Sequence, residues 1–158
     1  MRRQNTKTIE ADESLRRFHH ASAGTSTSQN IGRWALGGML ILAGTSHLTW
    51  NRKAFLAQVP RWIPIDADAV VLASGAVEIL LGLSLVALRT KRIPVGWIVA
   101  VFFVAIFPGN ISQLTTRTDS FGLDTDAKRA IRLVFQPLLV IWSLWSTGAW
   151  AALRARRT

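Results

Sequence analysis

Five polar side chains interrupt otherwise apolar stretches of this 158-residue chain: His47, Glu78, Asn110, Arg132 and Gln136. Glu78 makes the strongest demand. It is the one ionisable group in the run from Ala69 to Leu88, which is long enough to cross a bilayer at about 20 mostly apolar residues. At about 1.5 Å per residue, Glu78 lies roughly 14 Å inside that run. A charged, unaccompanied carboxylate at that depth costs about 2.5 kcal/mol or more. Glu78 therefore needs a proton, a hydrogen-bonding partner or a ligand. Three kinds of chemistry suit such a group: holding the polar head of a lipophilic molecule, relaying protons, or a neutral structural contact.

The other four are candidate neighbours. His47 closes the first apolar run beside Thr45, Ser46 and Thr49, so it either bonds locally at the interface or reaches Glu78. Asn110 lies at the exit of the third run, and Arg132 and Gln136 lie four residues apart near the start of the fourth. Arg132 has the length to snorkel to water or to point into the bundle. The predicted contact is a hydrogen bond, direct or through water, from Glu78 to at least one of His47, Asn110, Arg132 or Gln136.

Four apolar runs must position these groups. The first spans about Ile31 to Leu48, the second Ala69 to Leu88, the third Pro94 to Ile111 and the fourth Ala130 to Leu153. Gly37, Gly44 and His47 share one face of the first, and Gly75, Glu78 and Gly82 share one face of the second. Glycines on facing stripes let backbones approach closely, so Gly44 and Gly75 are expected in tight contact. In the third run Pro108 and Gly109 weaken the helix just before Asn110. In the fourth, Arg132, Gln136, Leu139, Ser143 and Ser146 recur at helical spacing. Between the first two runs, Trp50 to Pro64 mixes aromatics and cations and reads as an interfacial segment, with Phe55, Leu56 and Val59 on one side of a short helix ending at Pro60. Asp66 or Asp68 then caps the second helix.

The fold class expected is all-α: a four-helix transmembrane bundle with a short interfacial segment between helices 1 and 2. Residues 1–30 form a polar, disordered tail with a short helix over Ala11 to His20, 31–153 the membrane domain, and 154–158 a basic tail. Arg16-Arg17 invites a twin-arginine reading, but the apolar run begins too far downstream and is too long for a signal sequence.

The net charge of +10 would suggest nucleic acid in a soluble protein, but no binding motif accompanies it. The cations border the apolar runs instead, which suits topology and anionic lipid. With Arg33 counted in the segment that leads into the first run and Arg132 in the one that leads into the fourth, twelve of the 19 Lys and Arg fall before the first run, between the second and third, and after the fourth, against seven in the other two segments. The positive-inside rule then places both termini in the cytoplasm of a multi-pass protein in the cell membrane. With no cysteine, thiolate catalysis, disulfides and cysteine-ligated metal are excluded. With His47 the one histidine in a span, bis-histidine haem is not expected, and no metal site is assigned.

Through Ala43-Gly-Thr-Ser-His-Leu48, Phe55 to Pro64, Ser74-Gly-Ala-Val-Glu-Ile-Leu-Leu-Gly82, Phe107-Pro-Gly-Asn110 and Arg132-Leu-Val-Phe-Gln136, the chain resembles the DoxX-like family of small integral membrane proteins. The likeness runs over roughly residues 35–146. It departs where that family usually has alanine in place of Gly109 and proline-leucine in place of Val134 and Phe135. The resemblance implies a four-helix membrane bundle. It also implies an accessory subunit of a membrane redox system, not a stand-alone enzyme, whose buried polar site contacts quinone and whose partner is a redox protein or a second copy of the chain. A proton-linked small-molecule transporter and a purely structural membrane protein are the alternatives.

Overall fold

A computed structural model describes residues 25–155. The Ala11 to His20 helix, the Arg16-Arg17 pair and most of both tails lie outside them. The described residues are largely helical, with no strand among them. The helices are α1 (Thr27–Leu48), α2 (Arg52–Leu56), α3 (Ala67–Ala87), α4 (Arg92–Thr115), α5 (Asp126–Ser146) and α6 (Ala149–Ala155), with a 3-10 turn at Arg89–Lys91 before α4.

α1 starts four residues earlier than the apolar run suggests. Ser26 and Gln29 form a reciprocal cap: the Gln29 amide donates to Ser26 Oγ at 3.2 Å, and the Ser26 amide to Gln29 Oε1 at 2.9 Å. Gln29 Nε2 also donates to the Trp145 carbonyl at 2.9 Å, fixing the start of α1 to the end of α5. α2 is shorter than expected and ends at Leu56, ahead of Pro60. Asp66 caps α3 by accepting from the Ala69 amide at 2.9 Å. Arg52 of α2 pairs with Asp68 in the first turn of α3, so the segment between α1 and α3 is tied back to α3.

Two helices depart from the runs read off the sequence. α4 does not fray at Asn110 but continues through Pro108 to Thr115. Pro108 removes the donor that would reach the Val104 carbonyl. Gln136 of α5 donates to the adjacent Phe103 carbonyl at 2.7 Å, so a polar side chain from the next helix supports the weakened turn. The fourth run is not one helix. α5 ends at Ser146, Gly148 takes a φ of +75°, and α6 leaves at 70° to α5. A left-handed glycine just past the last turn stops a helix in this way.

α1 packs antiparallel along α3, and α4 packs along α5. Leu36, Leu40, Leu85, Val95, Val99 and Phe103 form a core drawn from α1, α3 and α4, with Leu139, Val140 and Trp142 of α5 against it. Outward, α3 and α4 present Leu80, Leu83, Ile98, Val101 and Val104, all more exposed than buried in character. α3 and the unit from Arg89 to Thr115 are long and apolar enough to cross a membrane, and α5 with α6 makes a third if the bent pair is one span.

Candidate functional site

Glycine brings Glu78 and His47 together. A Cβ on Gly44 would collide with the Gly75 carbonyl, and one on Gly75 would lie 2.7 Å from the His47 Cβ and 2.9 Å from the Gly44 carbonyl. The expected contact of these two glycines is therefore present. One turn along α3, Glu78 points into the seam and is 6% exposed. His47 Nε2 stands 3.7 Å from Glu78 Oε2, while its Nδ1 shares a hydrogen bond with Ser74 Oγ at 3.0 Å. Ser74 in turn donates to the Val71 carbonyl at 2.9 Å, so its hydroxyl accepts from the histidine. That assigns the Nδ1 proton and leaves Nε2 directed at the carboxyl group. Phe55 of α2 closes over the imidazole, with ring centroids 3.3 Å apart.

The direct form of the hydrogen bond expected of Glu78 is absent among the described residues. A separation of 3.7 Å is too long for one, and Glu78 Oε2 is buried with no hydrogen-bond partner. Arg132 acts on both Glu78 and His47 through its charge but touches neither. Its guanidinium is held elsewhere: Nη2 donates to Gln58 Oε1 at 3.1 Å and Nη1 to Gln113 Oε1 at 3.5 Å. The ring of Phe121 lies 5.2 Å from its Cζ. Phe121 has a φ of 57°, a left-handed backbone that a bulky residue rarely adopts. Contacts to Arg132 and to Phe55, at 4.6 Å between ring centroids, hold it there.

Asn110 and Gln136 make a second, separate pair. Asn110 Nδ2 donates to Gln136 Oε1 at 2.9 Å, and both side chains are buried. Their bonding reaches the Phe103 carbonyl and not Glu78. Ser143 and Ser146, further along the polar stripe of α5, are buried too, but each hydroxyl donates to a carbonyl of its own helix.

The sequence reading missed Gln58, Ser74, Gln113 and Phe121. Ser74 was findable, because it precedes Glu78 by four residues on the same face. Gln113 follows Asn110 by three. Gln58 gives no such signal, since it lies beyond the end of α2 in a non-periodic segment. The backbone sets its position: a Cβ on Gly109 would approach the Gln58 carbonyl to 2.9 Å. Gln58 Nε2 is a second buried polar atom without a partner.

The centre thus contains an acceptor, Glu78 Oε2, and a donor, Gln58 Nε2, both unsatisfied, together with a charge-neighbouring arginine and an aromatic cover. An open cleft of about 440 Å³ lies beside this centre, not within it. Its lining includes Leu56, Ala57 and Val59, which flank Gln58, and Ser112 and Thr118, which flank or bond Gln113. Among the described residues no group of three or more acidic or imidazole side chains is placed to hold a metal ion.

Among known proteins, no curated protein and no solved structure matches the chain. A family model described as "Domain of unknown function (DUF8561)" matches residues 36–147, a stretch that contains His47, Gln58, Glu78, Asn110, Arg132 and Gln136. The chain belongs to the DUF8561 family.

Proposed function

We propose that this chain is a four-helix membrane protein with both termini in the cytoplasm, in which α1, α3, α4 and the broken α5–α6 unit each cross the bilayer. It carries, toward the outer leaflet, a site for the polar head of a lipophilic molecule. The observation that carries this reading is the pair of buried, unsatisfied atoms, Glu78 Oε2 and Gln58 Nε2, around the charge of Arg132. Buried polar atoms are nearly always bonded, and leaving one unpaired costs about 1–3 kcal/mol. A ligand offering one donor and one acceptor satisfies both, and the cleft beside Gln58 is its route from the interface.

Quinone is the class proposed, in its reduced or oxidised form, with Phe55 and Phe121 against the ring. The resemblance to DoxX-like proteins supports it, and with it a role as an accessory subunit of a membrane redox system, working with a redox protein or a second copy of the chain. No redox centre of the chain's own enters this reading. A second reading, proton-linked transport, draws on His47 Nε2 facing Glu78 beside Arg132, a set of groups found in membrane proton relays.

The test is binding of a short-chain quinone and quinol to the purified full-length protein, read by tryptophan fluorescence, beside mass spectrometry of co-purifying lipids. Binding should weaken about tenfold or more in Glu78→Gln and Gln58→Leu, the worth of a lost hydrogen bond to a charged or buried group, with the melting temperature kept. Absence of binding together with absence of co-purifying quinone overturns the quinone reading. Proton flux in liposomes that Glu78→Gln abolishes would replace it with the second.

A further inference from the structure

The opposite end of the molecule poses a separate electrostatic problem. Arg33 is the seventh residue of α1 and is 1% exposed. Its Nη1 donates to the Leu85 carbonyl and, at 3.4 Å, to the Val86 carbonyl, so it caps the last turn of α3. That accounts for one edge of the guanidinium. Its Nε is buried and unpartnered. Arg92, in the first turn of α4, likewise has a buried Nε with no partner. Arg89 and Arg92 are both close enough to act on Arg33 through their charges.

Nothing acidic answers them among the described residues. Asp66, Asp68, Glu78, Asp119, Asp124 and Asp126 are at the start or middle of α3 or in and beside the loop from α4 to α5. The arginines gather where α3 passes to α4, at the other end of those helices. Helix-end carbonyls absorb part of one positive charge, not three. Like charges drawn partly out of water without a counter-ion repel and lose hydration. Directional N–H groups on two or more guanidinium planes match the oxygens of a phosphate. The neighbouring surface is apolar: Trp34, with its ring 5.9 Å from the Arg33 Cζ, and Ile31 and Leu88 are exposed.

We propose that Arg33, Arg89 and Arg92 form a binding site for a phosphate group, supplied by an anionic phospholipid whose chains lie on the exposed apolar faces beside Trp34. The site is independent of the quinone reading and shares no residue with it. Free phosphate carries the same chemistry, and the experiment separates the two sources.

The full-length protein is purified in detergent and offered equal amounts of phosphatidylglycerol and phosphatidylcholine, with retained lipid counted by native mass spectrometry. Phosphatidylglycerol should be preferred, and Arg89→Gln with Arg92→Gln should remove the preference, about fivefold per charge. Arg33 is left intact because it caps α3. Lys53→Gln with Arg61→Gln, at the other end of α3, should leave the preference unchanged. Stabilisation by inorganic phosphate without a lipid preference, lost in the same double variant, keeps the phosphate site and assigns it to a soluble ligand. Equal retention of both lipids with no effect of phosphate overturns the proposal. So does a preference equally reduced by the Lys53 and Arg61 changes, which marks diffuse attraction. A further overturning result is Glu10→Gln, Asp12→Asn and Glu13→Gln lowering the melting temperature as lipid does the reverse, with no lipid preference, because the chain's own acids are then the counter-ion.

Discussion

The two long helix pairs are closed in different ways. Between α1 and α3 the contact is backbone on backbone: Gly37 against the Gly82 carbonyl, Gly44 against the Gly75 carbonyl, and each reciprocally. Between α4 and α5 the contact is made by side chains: Asn110 on Gln136, Gln136 on the Phe103 carbonyl, and Gly96 beneath Thr147. Apolar lipid gives helices little reason to associate by hydrophobicity, so close packing and interhelical hydrogen bonds do the work. This molecule uses one of these in each half. The first leaves no slack, because a carbonyl cannot rotate away from an added methyl group. The second depends on directional bonds that a rearranged side chain or a water can partly replace. Glu78 belongs to the rigid half, and Arg132, which reaches it by charge, belongs to the adaptable one.

The largest expected effect is therefore in the glycine seam. Gly75→Leu must displace both the His47 Cβ and the Gly44 backbone. Overpacking of a tight site typically costs 1–3 kcal/mol and sometimes more, and here about 3 kcal/mol or more is expected. Accumulation in the membrane and the melting temperature in detergent should both fall. Gly38, on the facing helix α1, supplies the control: a Cβ there meets nothing within 4 Å. Gly38→Leu should be close to neutral. Equal losses for the two would mean that the seam does not govern, since leucine for glycine favours the helix itself at both positions.

That seam was legible in the sequence because its evidence is periodic. Gly37 and Gly44 on one run, and Gly75, Glu78 and Gly82 on the next, repeat at spacings that one helical face requires. The depth of Glu78 followed from a count along the same helix. The α4–α5 half was less legible, because its key facts are exceptions to local rules. Pro108 ordinarily argues for an ending, but Gln136 supports the weakened turn from another helix. Gly148 lies inside the fourth apolar run, where no pattern marks it as a break, yet its positive φ turns α6 away. The true neighbours of Arg132 were also hidden. Gln58 reaches it from a loop whose position depends on Gly109, 51 residues later in the chain. No spacing rule connects those residues.

A smaller effect tests the second kind of closure. Gln136→Leu keeps the volume and removes both bonds, leaving Asn110 Nδ2 and the Phe103 carbonyl without this partner. In water such a loss costs about 1–3 kcal/mol, whereas interhelical bonds measured in membranes average about 0.6 kcal/mol. The melting temperature of Gln136→Leu should fall by less than that of Gly75→Leu. Adding Asn110→Leu should recover part of the loss, since the pair then disappears together. If the double variant is worse than the sum of the single ones, packing and not hydrogen bonding holds this seam, and the two halves are alike.

The smallest effect lies in the loop that joins α4 to α5. Asp124 accepts from Lys128 Nζ at 2.7 Å, and that hydrogen bond is the main reason its carboxyl is held below the ordinary range. A carboxyl whose folded value is depressed contributes stability above its unfolded value, and the contribution is lost as pH falls through the folded one. The contribution is thus present at neutral pH and fades below about pH 4, where an unfolded aspartate takes up its proton. Both side chains are more than half exposed, so salt screens the pair. Asp124→Asn should lower the melting temperature slightly at pH 7 and low salt. The difference from the unchanged protein should narrow toward pH 3 and in high salt. Buried Arg129, one residue beyond Lys128, pairs with both Asp119 and Asp126 and is the contrast. Arg129→Met should cost clearly more than Asp124→Asn, because it leaves the loop without its inward anchor. If the two changes are equal, the loop is not anchored through Arg129. The placement of Phe121 over Arg132 would then have to come from its aromatic contact with Phe55 and from the Ser120 hydroxyl, which donates to the Ala54 carbonyl at 2.6 Å.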